Sequence, residues 1–166
     1  LLFGDCLCSA LMYKFSFSKE KFKLFHPGGS IGQNLLLVKD VMLIGSKMPL
    51  INYKSNILKA LQIISKKDLG LGIIIKNKLA IGVVTDGDIR RGAKKFSRKN
   101  RITTLMTKKP FYTSENIPAS KALSIMSEKK ITSLLVSSDK DYKKNKAYFR
   151  PTGILHIHSL LKYGIK

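Results

Sequence analysis

The sequence predicts an α/β (α+β) protein in which two copies of one small domain follow an apolar helical segment. Three observations predict it. Short β-branched runs alternate with stretches of helical apolar spacing. From Lys39 onward the chain matches itself at an offset of about 60 to 70 residues, a period that marks repeated small units. At 166 residues and 44% hydrophobic side chains, it can bury one good core or two small ones.

Residues Leu1 to Phe15 are apolar nearly all round, which suits a helix packed inside a larger domain. Gly4-Asp5 interrupts this run, and it lacks the basic flank and small-residue cleavage site of a signal peptide. No apolar run reaches the roughly 18–20 residues that cross a bilayer, so no membrane partner is expected. Lys19 to Lys23 reads as a charged connector, and Ile31 to Val38 as a short helix after a glycine turn.

In the first copy, Ile57, Leu58, Leu61 and Ile64 set a helix over Ile57 to Lys67. Gly72 to Lys76 and Ala80 to Thr85 are strands joined by a hairpin at Asn77-Lys78. Asp86 to Lys94 then starts a helix with acidic residues in its first turn. The second copy repeats the order helix, strand, strand, helix with Pro118 to Lys130, Ser133 to Ser137, Thr152 to Leu155 and Ser159 to Tyr163. Asp40-Val41-Met42 answers Thr104-Leu105-Met106, and Gly82-Val83-Val84 answers Gly153-Ile154-Leu155. The longer spacing in the second copy comes from a polar insertion, Asp139 to Arg150, which reads as a solvated hairpin loop.

The formal charge of +21 points first to nucleic acid. Lysine outnumbers arginine roughly fivefold, however, although arginine is the better bidentate reader of phosphate and guanine. The lysines are scattered, and isoleucine and asparagine are plentiful, as AT-rich codons would produce. Composition bias with nonspecific anion affinity is the expectation, and no specific nucleic-acid partner. Cys6 and Cys8 lie two residues apart on a helix and point in different directions. They read as free thiols in a reducing cytoplasm.

Two segments carry chemistry. His26-Pro27-Gly28-Gly29-Ser30-Ile31-Gly32 joins an imidazole that titrates near neutrality to a turn of fixed and permissive residues. Such a loop can hold His26 at a set angle beside a small substrate, with Pro27, Gly28 and Gly29 supporting it. It can equally be a tight turn with an incidental histidine. Gly82-Val83-Val84-Thr85-Asp86-Gly87-Asp88 ends a strand and opens a helix. Asp88 can accept from ribose hydroxyls, and Thr85 with the helix-start N–H groups can face a phosphate. The structural alternative is a helix capped by Thr85 or Asp86. His156-Ile157-His158 places two rings on one strand face, but no carboxylate or thiol nearby completes a metal set, and no metal is expected.

In order, Gly4-Asp5, Phe25 to Gly32, Asp40-Val41-Met42, Gly82 to Arg91, Ile131-Thr132-Ser133 and Leu155 to His158 resemble the C-terminal part of bacterial arabinose-5-phosphate isomerases. That family joins a sugar isomerase (SIS) domain to a tandem pair of CBS domains. The resemblance implies a tail of the SIS domain with its HPGG loop at 1–38, a first CBS domain at 39–100 and a second at 101–166. It implies isomerisation of ribulose 5-phosphate and arabinose 5-phosphate, on the route to the lipopolysaccharide sugar Kdo. It also implies a place for His26 in the active site, either at the carbon proton or in ring opening.

The phosphate loop and acidic groups that the family carries in its SIS domain are not found in the sequence, so this chain by itself is expected to be mainly the regulatory pair. No cofactor is required by the family. The CBS resemblance implies an adenine nucleotide or sugar nucleotide as effector, at Thr85 and Asp88. In the second copy His156 and Ser159 stand where Thr85 and Asp88 stand, so a second site is not expected. The expected partners are a sugar phosphate for the parent enzyme and further copies of the chain. The alternative is a free-standing CBS module that binds an adenine nucleotide and regulates or pairs with a partner.

Overall fold

The structure is a computed structural model that describes residues 1–17, 36–92 and 100–165. Helix α1 spans Leu2–Lys14, where the apolar run predicts it. The expected burial is not supplied by the described residues: Leu2, Phe3 and Tyr13 are fully exposed. After α2 (Val38–Val41), the first repeat runs β1 (Leu50–Asn52), α3 (Ile57–Lys67), β2 (Leu71–Lys76), β3 (Leu79–Thr85) and α4 (Asp86–Arg91). Strand β4 (Thr107–Lys108) opens the second stretch. It is followed by β5 (Tyr112–Ser114), α5 (Ala119–Glu128), β6 (Ser133–Ser137), α6 (Asp139–Lys143), β7 (Pro151–His156) and α7 (Ile157–Lys162).

Helix α3 has the bounds that its spacing predicts. Asn56 Oδ1 accepts from the Lys59 N–H at 2.9 Å and caps its start. Asp68, at φ 52, turns the chain left-handed and ends it. Ile57, Ala60 and Ile64 are buried on its inner face. The hairpin between β2 and β3 turns at Asn77 (φ 51) and Lys78 (φ 64), the pair of left-handed conformations that a two-residue connection of twisted strands needs. Each repeat also has a leading strand that the sequence did not reveal. Strands β1 and β5 are three residues long and pair parallel to β2 and β6 through Leu50↔Ile73 and Tyr112↔Leu135. Three residues are too few to show a period.

The sheets are ordered β1-β2-β3-β4 and β5-β6-β7. Packing crosses the repeat boundary in both directions. Strand β4 pairs with β3 through Gly82↔Lys108. In the reciprocal place Leu43 bridges Ile154 of β7, with N···O distances of 2.8 and 2.9 Å. Helix α2 packs against α5 and β7, with Val38 and Val41 buried beside Ala119, Leu155 and Leu160. Ile102 is buried among Ile57, Ile64 and Ile89 of the first repeat. The matched Met and Gly motifs meet at these crossings. A Cβ on Gly153 would stand 2.5 Å from the Met42 sulfur and 3.0 Å from the Leu43 carbonyl. A Cβ on Gly82 would stand 3.0 Å from the Met106 sulfur and 2.7 Å from the Thr107 carbonyl.

The insertion is not a solvated loop. Its first half is α6, capped by Ser138 and tied down by the Lys143–Asp139 and Lys146–Asp141 ion pairs, each 3.1 Å. The Ser114 hydroxyl donates to the Asp139 carboxylate and holds the helix to β5. Its second half buries Phe149 completely, in a cluster with Leu71, Ile73, Ala80, Leu135 and Ile154 drawn from both repeats. The Ala80 N–H donates to the Phe149 carbonyl at 2.8 Å, and Tyr112 stacks on the Phe149 ring at 4.0 Å. Three aromatics, Tyr142, Tyr148 and Phe149, stand in this polar run, and nothing in its spacing singles out Phe149 as the anchor.

Helix α7 starts earlier than its predicted bound, at Ile157, because His156 caps it: Nδ1 accepts from the His158 N–H at 3.2 Å. The two rings meet edge to face at 4.9 Å. Burial holds the His156 imidazole below its usual range; His158 adds to this and Asp68 opposes it.

Gly153→Ala should destabilise the protein by about 1–3 kcal/mol, the scale of overpacking, in urea denaturation. A variant as stable as the parent would show that Met42 yields freely. The pH dependence has a defined sign. A histidine whose folded pKa is depressed leaves the unfolded chain holding more protons, so stability is full above the unfolded value of ~6.5 and falls as pH drops through it. Between pH 7.5 and 5.5, His156→Asn, which keeps a capping acceptor, should lose less stability than the parent. Equal losses would remove His156 from the acid response.

Candidate functional site

Strand β3 ends at Thr85 and α4 begins at Asp86, so the glycine-to-aspartate motif sits at a strand-to-helix corner. The corner is closed by a reciprocal cap. The Thr85 N–H donates to Asp88 Oδ2 at 2.9 Å, and the Thr85 hydroxyl donates to the same oxygen at 2.8 Å. The Asp88 N–H lies 3.2 Å from Thr85 Oγ1. Arg91 Nη2 donates to Asp88 Oδ1 at 2.7 Å. Burial raises the Asp88 pKa, but the hydrogen bonds from Thr85 and Arg91 and the guanidinium charge outweigh it and hold the carboxyl below its usual range. The structural alternative for these residues is therefore present in full, and any ligand must share Asp88 with its cap. A carboxylate has about four lone-pair sites, so these three donors leave room for one more.

The corner forms one wall of a cavity of about 360 Å³ between the repeats. Thr85, Asp86 and Gly87 line it from the first repeat, together with Gly70 and Leu71. Gly70 holds the helix start in place: its carbonyl accepts from the Asp86 N–H at 3.0 Å. The opposite wall is Phe111, Lys130, Thr132 and Ser133 of the second repeat. The Ser133 hydroxyl is buried and has no hydrogen-bond partner among the described residues. Asp88 stands behind Thr85, outside the lining. Sequence reasoning found the first wall and missed the second. The repeat alignment held the signal, since it sets the approach to β6 opposite the approach to β2.

The corresponding corner of the second repeat is His156 and α7. It carries an imidazole cap in place of the hydroxyl, and Ser159 in place of the carboxylate that binds Arg91 in the first. Among the described residues, no group of three or more His, Cys, Asp or Glu is arranged to hold a metal ion. Cys6 and Cys8 are exposed thiols on α1. No helix of the described residues is long and apolar enough to cross a membrane. His26, Pro27, Gly28 and Gly29 lie outside the described residues.

A CBS domain family profile matches residues 102–166. The arabinose 5-phosphate isomerase KdsD of Salmonella typhi is 36% identical over 169 residues, covering 99% of this chain and 49% of the relative. That of Yersinia pestis is 34% identical with the same coverage. The chain thus spans about half the length of the curated relatives it matches. Among solved structures, a CBS protein in complex with AMP superimposes with a TM-score of 0.63 at 18% identity, over 77% of this chain and 95% of that one. A CBS domain pair in complex with 5-methylthioadenosine and S-adenosyl-L-methionine gives a TM-score of 0.60 at 24% identity, over 76% and 94%. The crossed repeats, the corner motif and these matches together identify the chain as a tandem CBS domain pair, homologous over its whole length to arabinose 5-phosphate isomerases and matching their C-terminal CBS region.

Proposed function

We propose that this chain is the regulatory part of a sugar-phosphate isomerase interconverting ribulose 5-phosphate and arabinose 5-phosphate, and that the cavity between its repeats takes one adenine or sugar nucleotide. The observation that carries the ligand reading is Ser133, a residue of the cavity wall opposite Thr85 whose buried hydroxyl has no partner among the described residues. A buried hydroxyl without a partner is costly, and a bound polar group removes the cost. Leu71, Val83 and Phe111 supply apolar faces for a base. Lys130 suits a phosphate, and a ribose hydroxyl that reaches past Thr85 meets the remaining acceptor site of Asp88. The AMP and S-adenosyl-L-methionine complexes of the two structural neighbours support an adenine-bearing ligand. His26 is proposed as an acid/base group of the parent active site.

Calorimetry with AMP, ATP and CMP-linked sugars should find one site per chain. Asp88→Ala should weaken binding by about 1.5–3 kcal/mol, the worth of a hydrogen bond to a charged group, and Ser159→Ala should leave it unchanged. Ser133→Ala should weaken binding by about 0.5–1.5 kcal/mol while leaving the free protein at least as stable, because it deletes an unpaired group. Two equivalent sites, or affinity indifferent to Asp88 and Ser133, would overturn the assignment. In a full-length relative, alanine at the position of His26 should lower kcat about 10²-fold or more, and unchanged kinetics would return His26 to an incidental turn residue.

A further inference from the structure

The insertion builds a surface with no counterpart among the described residues of the first repeat. Two depressions open there, Lys108 and Tyr148 lining one and Lys109 and Ala147 the other. One, of about 310 Å³, is lined by Lys76, Lys108 and Tyr148. The other, of about 400 Å³, is lined by Lys109, Lys146 and Tyr142 and shares Phe111 with the cavity between the repeats. Tyr148 is fixed in place, because the next residue is the buried Phe149 with its backbone bond to Ala80. Tyr142 and Tyr148 nevertheless remain 38% and 46% exposed. The nearby acid, Asp141, is paired with Lys146.

Each depression thus offers an aromatic face beside ammonium groups. That combination accepts a base on the ring and a phosphate on the lysines, and every base has a π-face to offer. Neither depression is lined by arginine, the side chain that reads guanine edges, so the contact is indifferent to sequence. We propose that this surface binds nucleotide units through Tyr142, Tyr148, Lys76, Lys108 and Lys109, with Lys146 held by Asp141 beside them, separately from the cavity that holds Thr85. The units can come from a single strand or from free mononucleotides.

The test is fluorescence anisotropy of the 166-residue chain with a labelled oligothymidylate. A probe about ten nucleotides long lies within the range of sites of this kind. At low salt it should bind, with a log–log salt slope of about −2 for three phosphate contacts. Tyr142→Ala with Tyr148→Ala should weaken binding at least about fivefold, and the two Tyr→Phe changes should retain it. Alanine at Lys76, Lys108, Lys109 and Lys146 should abolish binding. The same charge change at Lys59, Lys66, Lys121 and Lys162, on α3, α5 and α7, should cost much less. Asp88→Ala should leave strand binding intact, which separates this surface from the nucleotide cavity. Displacement of the strand from that variant by AMP would identify free mononucleotides as a source, and resistance would identify the strand. No binding at low salt, equal losses from the two lysine sets, or indifference to both tyrosines would overturn the proposal and leave only diffuse charge.

Discussion

The structure depends on a reciprocal exchange. Each repeat is led by a segment that packs on the other repeat, and each leading segment places a methionine against a glycine. Met42 lies over Gly153 and Met106 over Gly82, and in both places a single added carbon would collide with sulfur and backbone. The glycines are needed for close approach and not for an unusual backbone angle. Thioether side chains suit these sites, since they are unbranched and adapt to irregular gaps. Because the exchange runs both ways, neither repeat completes its core without the other. Val38 and Val41 are buried in the second repeat's cluster, and Ile102 in the first's.

The cavity follows from that arrangement. One wall is a strand-to-helix corner whose geometry is local and self-capped. The other is the approach to β6 in the second repeat, brought opposite by the crossing. A cavity assembled from both repeats is sensitive to their relative position, so a ligand that spans it binds one arrangement better than others and shifts the population toward it. This gives a regulatory role a physical basis: the coupling is the ligand's differential affinity for arrangements of the two repeats.

The repeats have diverged in ways that matter chemically. The first keeps a hydroxyl and a carboxylate at its corner, with Arg91 as the carboxylate's partner. The second caps α7 with an imidazole whose pKa burial holds below its usual range. Its insertion replaces a two-residue turn with a helix and an aromatic anchor, and Phe149 joins the cluster shared by both repeats. An insertion of polar residues thereby strengthens the contact between repeats while presenting new tyrosines and lysines to solvent.

The sequence by itself determined the repeat, the helix from Ile57 to Lys67, the β2–β3 hairpin and the corner at Thr85. Each rests on interactions within a few residues: apolar period, side-chain caps, and left-handed turn residues. It also held the Met and Gly motifs at matched positions, without saying that they touch. Tertiary structure alone decided the short strands β1 and β5, which exist only because β2 and β6 lie beside them. It decided that Phe149, and not Tyr142 or Tyr148 of the same insertion, is the buried aromatic, with partners up to about 80 residues away in a cluster of long-range contacts. It decided the second wall of the cavity as well, because Ser133 comes to line it opposite Thr85 only when the crossed repeats close on each other. Local signals survive in one dimension; contacts between distant segments are set by which surfaces the packed core leaves adjacent.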